Sequence, residues 1–224
     1  MKETIDYSEL SLYEENPEEH YQRYVLGEEI IYAPDQKRRM MLGTIVGNYA
    51  EDPTYDFVKE MKANGFENEL ILKVQKLYPR IQNSGEHQAV LKVDMGQGVI
   101  LKAKVDRFVK DARIIDDYKT TEQDFAWNQR KVDENKQLSV YNFAYLENYH
   151  KPLRELAIAE INLSKNGRFK RWLTQRGPRD MDYIRGWMWG LVDKMKREGI
   201  WDKRLSRKEI ELLRKQKNGE TLNV

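Results

Sequence analysis

At 224 residues the chain is long enough for one sizeable hydrophobic core with a helical appendage. Its 34% charged residues nearly cancel, to a net charge of +2, which excludes a uniformly basic nucleic-acid coat and leaves any such contact to local patches. The absence of cysteine excludes disulfides, thiolate zinc sites, cysteine-ligated iron–sulfur clusters and a cysteine nucleophile, and no run reaches the apolar length of a membrane span.

The opening MKETIDYSEL has no hydrophobic signal region, and 11% aromatic residues suit a folded, water-soluble domain, so a cytoplasmic location is expected. Tyr7–Gly27 reads as a helix with Ser8 as its N-cap and Gly27 as its stop, broken near Pro17 into two short pieces. A loop over Glu28–Arg39 carries the basic run Lys37-Arg38-Arg39, either a solvated loop or a phosphate contact. Met40–Glu51 is helical, with Leu42, Ile45, Val46 and Tyr49 on one stripe. Gly43 and Gly47, four apart, leave room for something to pack closely against it. Tyr55–Asn64 and Asn68–Leu77 read as two more amphipathic helices, and strands begin at His87–Val93.

Val99–Val109 and Ala112–Thr120 read as a β-hairpin turning at Lys110-Asp111. Alternation places Ile115, Asp117 and Lys119 on one face of the second strand, and Asp116, Tyr118 and Thr120 on the other. A carboxylate and an ammonium two residues apart in an apolar strand are expensive to bury unpaired, and Asp106 on the neighbouring strand can converge on them. Two carboxylates and a lysine suit a site for Mg²⁺ or Mn²⁺; a cross-strand ion pair is the alternative reading.

After a polar segment, Glu122–Lys136, a helix is expected over Gln137–Tyr149, stopped by Lys151-Pro152. Leu153–Leu163 and Arg168–Thr174 form a second hairpin around Lys165-Asn166-Gly167. Asp180–Glu198 is a long helix whose stripe of Tyr183, Ile184, Trp187, Met188 and Leu191 reads as core. A last charged helix is expected over Ser206–Lys217, with a frayed end over Thr221–Val224.

Taken in order, these segments resemble the RecB-like branch of the PD-(D/E)XK nucleases, which includes phage and CRISPR-associated exonucleases. YSELSLYEENPEEHYQRYVLG is similar to the family's opening helix, and MLGTIVGNYAE to its G-T-x-x-H-x-x-x-E helix. KVDRF followed by IIDDYKT resembles the G-x-x-D and D-Y-K-T core, with Ala103 for the glycine, and QLSVYNFAYL resembles the Q-x-x-x-Y helix. The resemblance implies an α/β fold: a central mixed β-sheet flanked by helices, in a single domain over 1–224. Within it, residues 1–80 would be helical, 86–175 the sheet core and 178–217 the C-terminal helices.

By the same resemblance Asp106 and Asp117 are metal ligands, Lys119 is the catalytic lysine, and Gln137 and Tyr141 face the site. Glu51 falls where the family's helix often has a glutamate and is the weakest of the ligand candidates. Asp116 lies on the wrong strand face, which favours Asp117. The implied activity is Mg²⁺- or Mn²⁺-dependent hydrolysis of DNA, from ends or on single strands, by an exonuclease of DNA processing or recombination in a bacterial or phage-infected cell. A recombination or replication protein as partner and a homo-oligomer are compatible with it; a membrane is not involved. Two departures stand out. Gly47 occupies the position of the family's histidine, with Glu51 or His87 as partial substitutes, and Asn16 replaces the cysteine that precedes the proline, so no iron–sulfur cluster is expected. The Gly47 departure supports a rival reading, a catalytically degenerate nuclease fold that binds DNA or a protein; the retained Asp106, Asp117, Lys119, Gln137 and Tyr141 oppose it. RNA in place of DNA is a third possibility.

Overall fold

The fold was analysed from a computed structural model, which describes residues 3–81, 84–165, 167–205 and 209. In chain order the elements are β1 (Glu3–Asp6), α1 (Tyr7–Glu15), α2 (Pro17–His20), α3 (Pro34–Glu51), α4 (Phe57–Ala63) and α5 (Asn68–Leu77). Then follow β2 (Glu86–Asp94), β3 (Val99–Val109), β4 (Ile114–Thr121), α6 (Gln129–Asp133), α7 (Lys136–Tyr149), β5 (Glu155–Asn162), β6 (Arg168–Thr174) and α8 (Pro178–Arg197). The expected Ser206–Lys217 helix and Thr221–Val224 end lie outside the described residues, Glu209 apart.

The chain divides into two compact units, Met1–Ile31 with Asp94–Lys102 and Asp182–Val224, and Tyr32–Val93 with Ala103–Met181. In the first, β1 pairs in parallel with the start of β3, Ile5 opposite Leu101. Pro17 ends α1 as expected and opens α2, because it has no N–H to give a continuing helix. The N-cap of α1 is Asp6, not Ser8: its carboxylate accepts from the Glu9 N–H at 2.8 Å. A single π-turn, Tyr21–Val25, follows α2. His20 and Glu9 are both buried, 3.2 Å apart, and Arg204 pairs with the same glutamate. The buried stripe of α8 in this unit is Ile184, Met188, Val192 and Met195; Tyr183, expected in the stripe, is 62% exposed.

In the second unit, α3, α4 and α5 share a core with Ile161 and Leu163. It gathers Leu42, Ile45, Val46, Phe57, Met61, Leu70, Ile71 and Val74, and Tyr49 stacks on Phe57 and Tyr78 at its margin. Helix α3 begins at Pro34, six residues before the expected start. Pro34 occupies the first helical turn, where its missing N–H is no loss. The basic run is therefore helical rather than looped, and Arg38 is engaged by Glu122 at 2.7 Å and Glu67 at 3.0 Å.

The end of β3 runs antiparallel to β4, with Arg107 opposite Asp116 and Phe108 opposite Ile115. The turn between them extends to Arg113, whose φ of 58° closes it. β4 pairs in parallel with β5 through the crossover that carries α6 and α7, and β5 turns back antiparallel onto β6. A strand inside a parallel pair is covered on both faces, and β5 is buried at every position after Glu155. Helix α7 is capped by Asn135 and stopped by His150 in the left-handed conformation, so the helix ends before Lys151-Pro152.

Candidate active site

The expected strand alternation sorts the two adjacent aspartates by role. Asp116 is fully buried between two arginines, Arg107 and Arg171, the latter 2.7 Å away. Arg107 is held in turn by the Ser84 carbonyl at 2.7 Å. Asp116 is thus consumed by a structural ion pair, as a buried carboxylate must be. Asp117 faces the other way. Lys119 Nζ lies 2.8 Å from its Oδ2, and the Tyr141 hydroxyl lies 3.3 Å from its Oδ1.

Helix α7 closes this arrangement. Gln137 and Tyr141, one turn apart, point together at β4. Gln137 accepts from Lys119 Nζ at 3.0 Å and donates to the Tyr141 hydroxyl at 2.7 Å. Burial and the Asp117 and Asp106 charges push the Tyr141 hydroxyl well above its ordinary range, so it stays protonated and serves as a donor. Lysine, glutamine, tyrosine and aspartate form a closed ring in which the ammonium meets two acceptors, Asp117 and Gln137.

Asp106 approaches from β3. Its Oδ2 accepts the Tyr118 N–H at 2.8 Å. Burial first, then the Asp117 and Glu51 charges, raise its carboxyl from 3.8 to about 6, against the opposing pull of the Tyr118 hydrogen bond and Lys119. Glu51, at the end of α3, does not reach Asp106 directly; the Gln88 amide stands between them, donating to both.

Asp106, Lys119 and Glu51 open on a cleft of about 690 Å³, lined also by Gly43, Thr44, Gly47, Asn48, Gln88 and Lys104. Apart from chain neighbours and the backbone of α3 itself, no atom of the described residues lies within 4 Å of where a Cβ would stand on Gly43 or Gly47. The expected close packing against this glycine face is therefore not made by the protein: the face fronts open cleft. His87, weighed as a substitute for the missing histidine, stacks on Tyr118 instead.

Among the described residues no three histidine, cysteine, aspartate or glutamate side chains converge as a ready ligand cluster. The oxygens present nonetheless suit a hard divalent cation. Asp117 Oδ2 is buried with no hydrogen-bond donor of good geometry beyond its ion pair, and the carboxyl of Asp106 is raised by burial first and then by neighbouring negative charge, which a cation would offset. Nothing in the sequence singles out Gln88, Arg107 or Arg171: the first needs the fold to reach Glu51, and the arginines need the strand register.

The chain belongs to the PD-(D/E)XK nuclease superfamily, whose family model matches residues 4–208. Members of that superfamily generally use divalent metal ions. A crystal structure from Eubacterium rectale, of a protein provisionally named an exonuclease, is similar in fold, with a TM-score of 0.57 over 98% of this chain and 83% of that one, at 16% identity. No curated protein matches. The resemblance to the PD-(D/E)XK nucleases and the mixed α/β architecture are both borne out. Among the described residues no helix is long and apolar enough to cross a membrane.

Proposed function

We propose that the protein is a Mg²⁺- or Mn²⁺-dependent deoxyribonuclease of the RecB-like branch, acting on DNA ends in DNA processing or recombination. The observation that carries this reading is the ring of Asp117, Lys119, Gln137 and Tyr141, whose Lys119 lines an open cleft together with Asp106. Asp106 and Asp117, with the Tyr118 carbonyl and with Glu51 as the weakest candidate, would hold the cation. Once bound, the ion polarises the scissile phosphate and lowers the pKa of a coordinated water.

The chain's own residues do the rest. Lys119, pinned by Asp117 and Gln137, is placed to orient the attacking water and to meet negative charge as it develops on the phosphate. Tyr141 and Gln137 hold Asp117 and Lys119 in register, and so act through them. Lys104, exposed on the cleft wall, supplies a phosphate contact; Arg38, already paired twice, is a poorer one.

The test is degradation of end-labelled linear DNA, a closed circle and a linear RNA with Mg²⁺, Mn²⁺ or EDTA, alongside Lys119→Ala. Metal-dependent loss of linear DNA alone, abolished by the substitution, is expected. Cleavage of the circle would replace the exonuclease reading with an endonuclease, and cleavage of RNA alone would replace the substrate. DNA binding without cleavage in either metal would refute the enzyme and leave a binding module with a Gly47-disabled site.

A further inference from the structure

Strand β2 alternates buried and exposed from Ala89 to Asp94, but the pattern breaks at Gln88, where φ is 54°. Gln88 is the one residue with positive φ inside any described strand. The left-handed region suits glycine; a glutamine held there is strained and persists only where its surroundings over-determine it. Those surroundings are the cleft. The Gln88 side chain lines it, with Nε2 hydrogen-bonded to Glu51 and 3.5 Å from Asp106 Oδ1. Both neighbours are acceptor-only oxygens, so it is the –NH₂ end of the amide that faces them.

Glu51 and Asp106 are two carboxylates that share the one Gln88 amide, and like charges this close repel. A neutral two-proton donor between them offsets part of that repulsion without adding a charge a cation would have to overcome. It also ties the end of α3, where Glu51 sits, to β3, where Asp106 sits, on the side of the cleft that Gly47 leaves empty. We infer that Gln88 is a positioning residue that holds Glu51 beside Asp106 as a preformed carboxylate pair for the divalent cation, which rests on the nuclease reading above. It does not touch the reacting phosphate; it acts through the two carboxylates.

Gln88→Gly is the informative substitution, because glycine accepts the φ of 54° and removes only the side chain. Mn²⁺ affinity is measured by calorimetric titration for the wild type, Gln88→Gly, Glu51→Gln and the double variant, with Asp106→Asn as the control for loss of a ligand. Partners that orient metal ligands are worth ~10–100-fold in affinity, so Gln88→Gly is expected to weaken Mn²⁺ binding at least ~10-fold. Gln88→Gly and Glu51→Gln should be non-additive, since each breaks the same pairing. Cleavage by Gln88→Gly should recover at high Mn²⁺, a shift in metal requirement rather than in kcat. Unchanged Mn²⁺ affinity in Gln88→Gly, or full additivity with Glu51→Gln, overturns the inference while the nuclease reading stands. A wild type that binds no Mn²⁺ overturns both.

Discussion

Asp106→Asn separates the electrostatics of the site from its chemistry. The Asp106 carboxyl is raised from 3.8 to about 6, first by burial and then by the Asp117 and Glu51 charges. Below pH 4 it is protonated whether the chain is folded or unfolded, and it contributes nothing to a stability difference. Between pH 4 and 6 the unfolded chain gives up its proton while the folded one keeps it, so stability falls as pH rises; above about pH 6 the full penalty is present. A shift of roughly two pKa units corresponds to at most about 3 kcal/mol. Asparagine keeps an oxygen for the Tyr118 N–H and removes the charge. For a chain of this length each kcal/mol moves Tm by about 2–4 °C, so Asp106→Asn should raise Tm in EDTA at pH 8 by up to ~6–12 °C. At pH 3.5 it should change little, and it should abolish cleavage at every pH. Thermal denaturation followed by circular dichroism at the two pH values, in EDTA, measures this. An equal Tm shift at both pH values, or a loss of stability at pH 8, refutes the picture of Asp106 as a carboxylate strained by its neighbours.

Other substitutions probe the remaining contacts. Tyr141→Phe removes the hydroxyl that Asp117 and Gln137 share, and should lower kcat by about tenfold while leaving DNA affinity unchanged in a filter-binding assay. Asp116→Ala should act on stability instead: it leaves Arg107 buried without its partner, at a cost of about 3–5 kcal/mol in urea denaturation. Gly47→Ala should stabilise α3 by about 0.5–1 kcal/mol, since the added methyl meets nothing, and its cleavage rate reports whether substrate uses that space. Gly47→His, placing an imidazole on the face of α3 that lines the cleft, should tighten Mn²⁺ binding in a calorimetric titration.

The candidate site was legible in the sequence to the extent that it is local. Asp117 and Lys119 share a strand face through a period of two, and Gln137 and Tyr141 share a helix face through a period of 3.6; both follow from backbone geometry alone. The same alternation separates Asp116 from Asp117, and the arginines around Asp116 fit that separation. Boundaries were less legible where a competing local signal existed. The basic run Lys37-Arg38-Arg39 reads as a solvated loop, yet Pro34 starts the helix before it, and Glu67 and Glu122 draw Arg38 out of any loop role. Ser8 is a good N-cap by type, but Asp6 is the residue at the helix boundary that β1 sets.

The sequence by itself pointed to most of the elements in their order, though not to β1 or α6, to the family, and to Asp106, Asp117, Lys119, Gln137 and Tyr141 as candidates, because each of these depends on side-chain type and short spacing. Only the tertiary structure decided what those residues meet. That Glu51 reaches Asp106 through Gln88, that Gly43 and Gly47 face an open cleft, and that Asp116 lies between Arg107 and Arg171 all depend on contacts between different elements, 37 residues apart for Gln88 and Glu51 and 55 for Arg171 and Asp116. Such contacts are set by strand register and helix packing, for which a single residue's identity carries almost no signal. A glutamine in a run of strand residues gives no hint of a positive φ, and Gln88 adopts one where it lines the cleft.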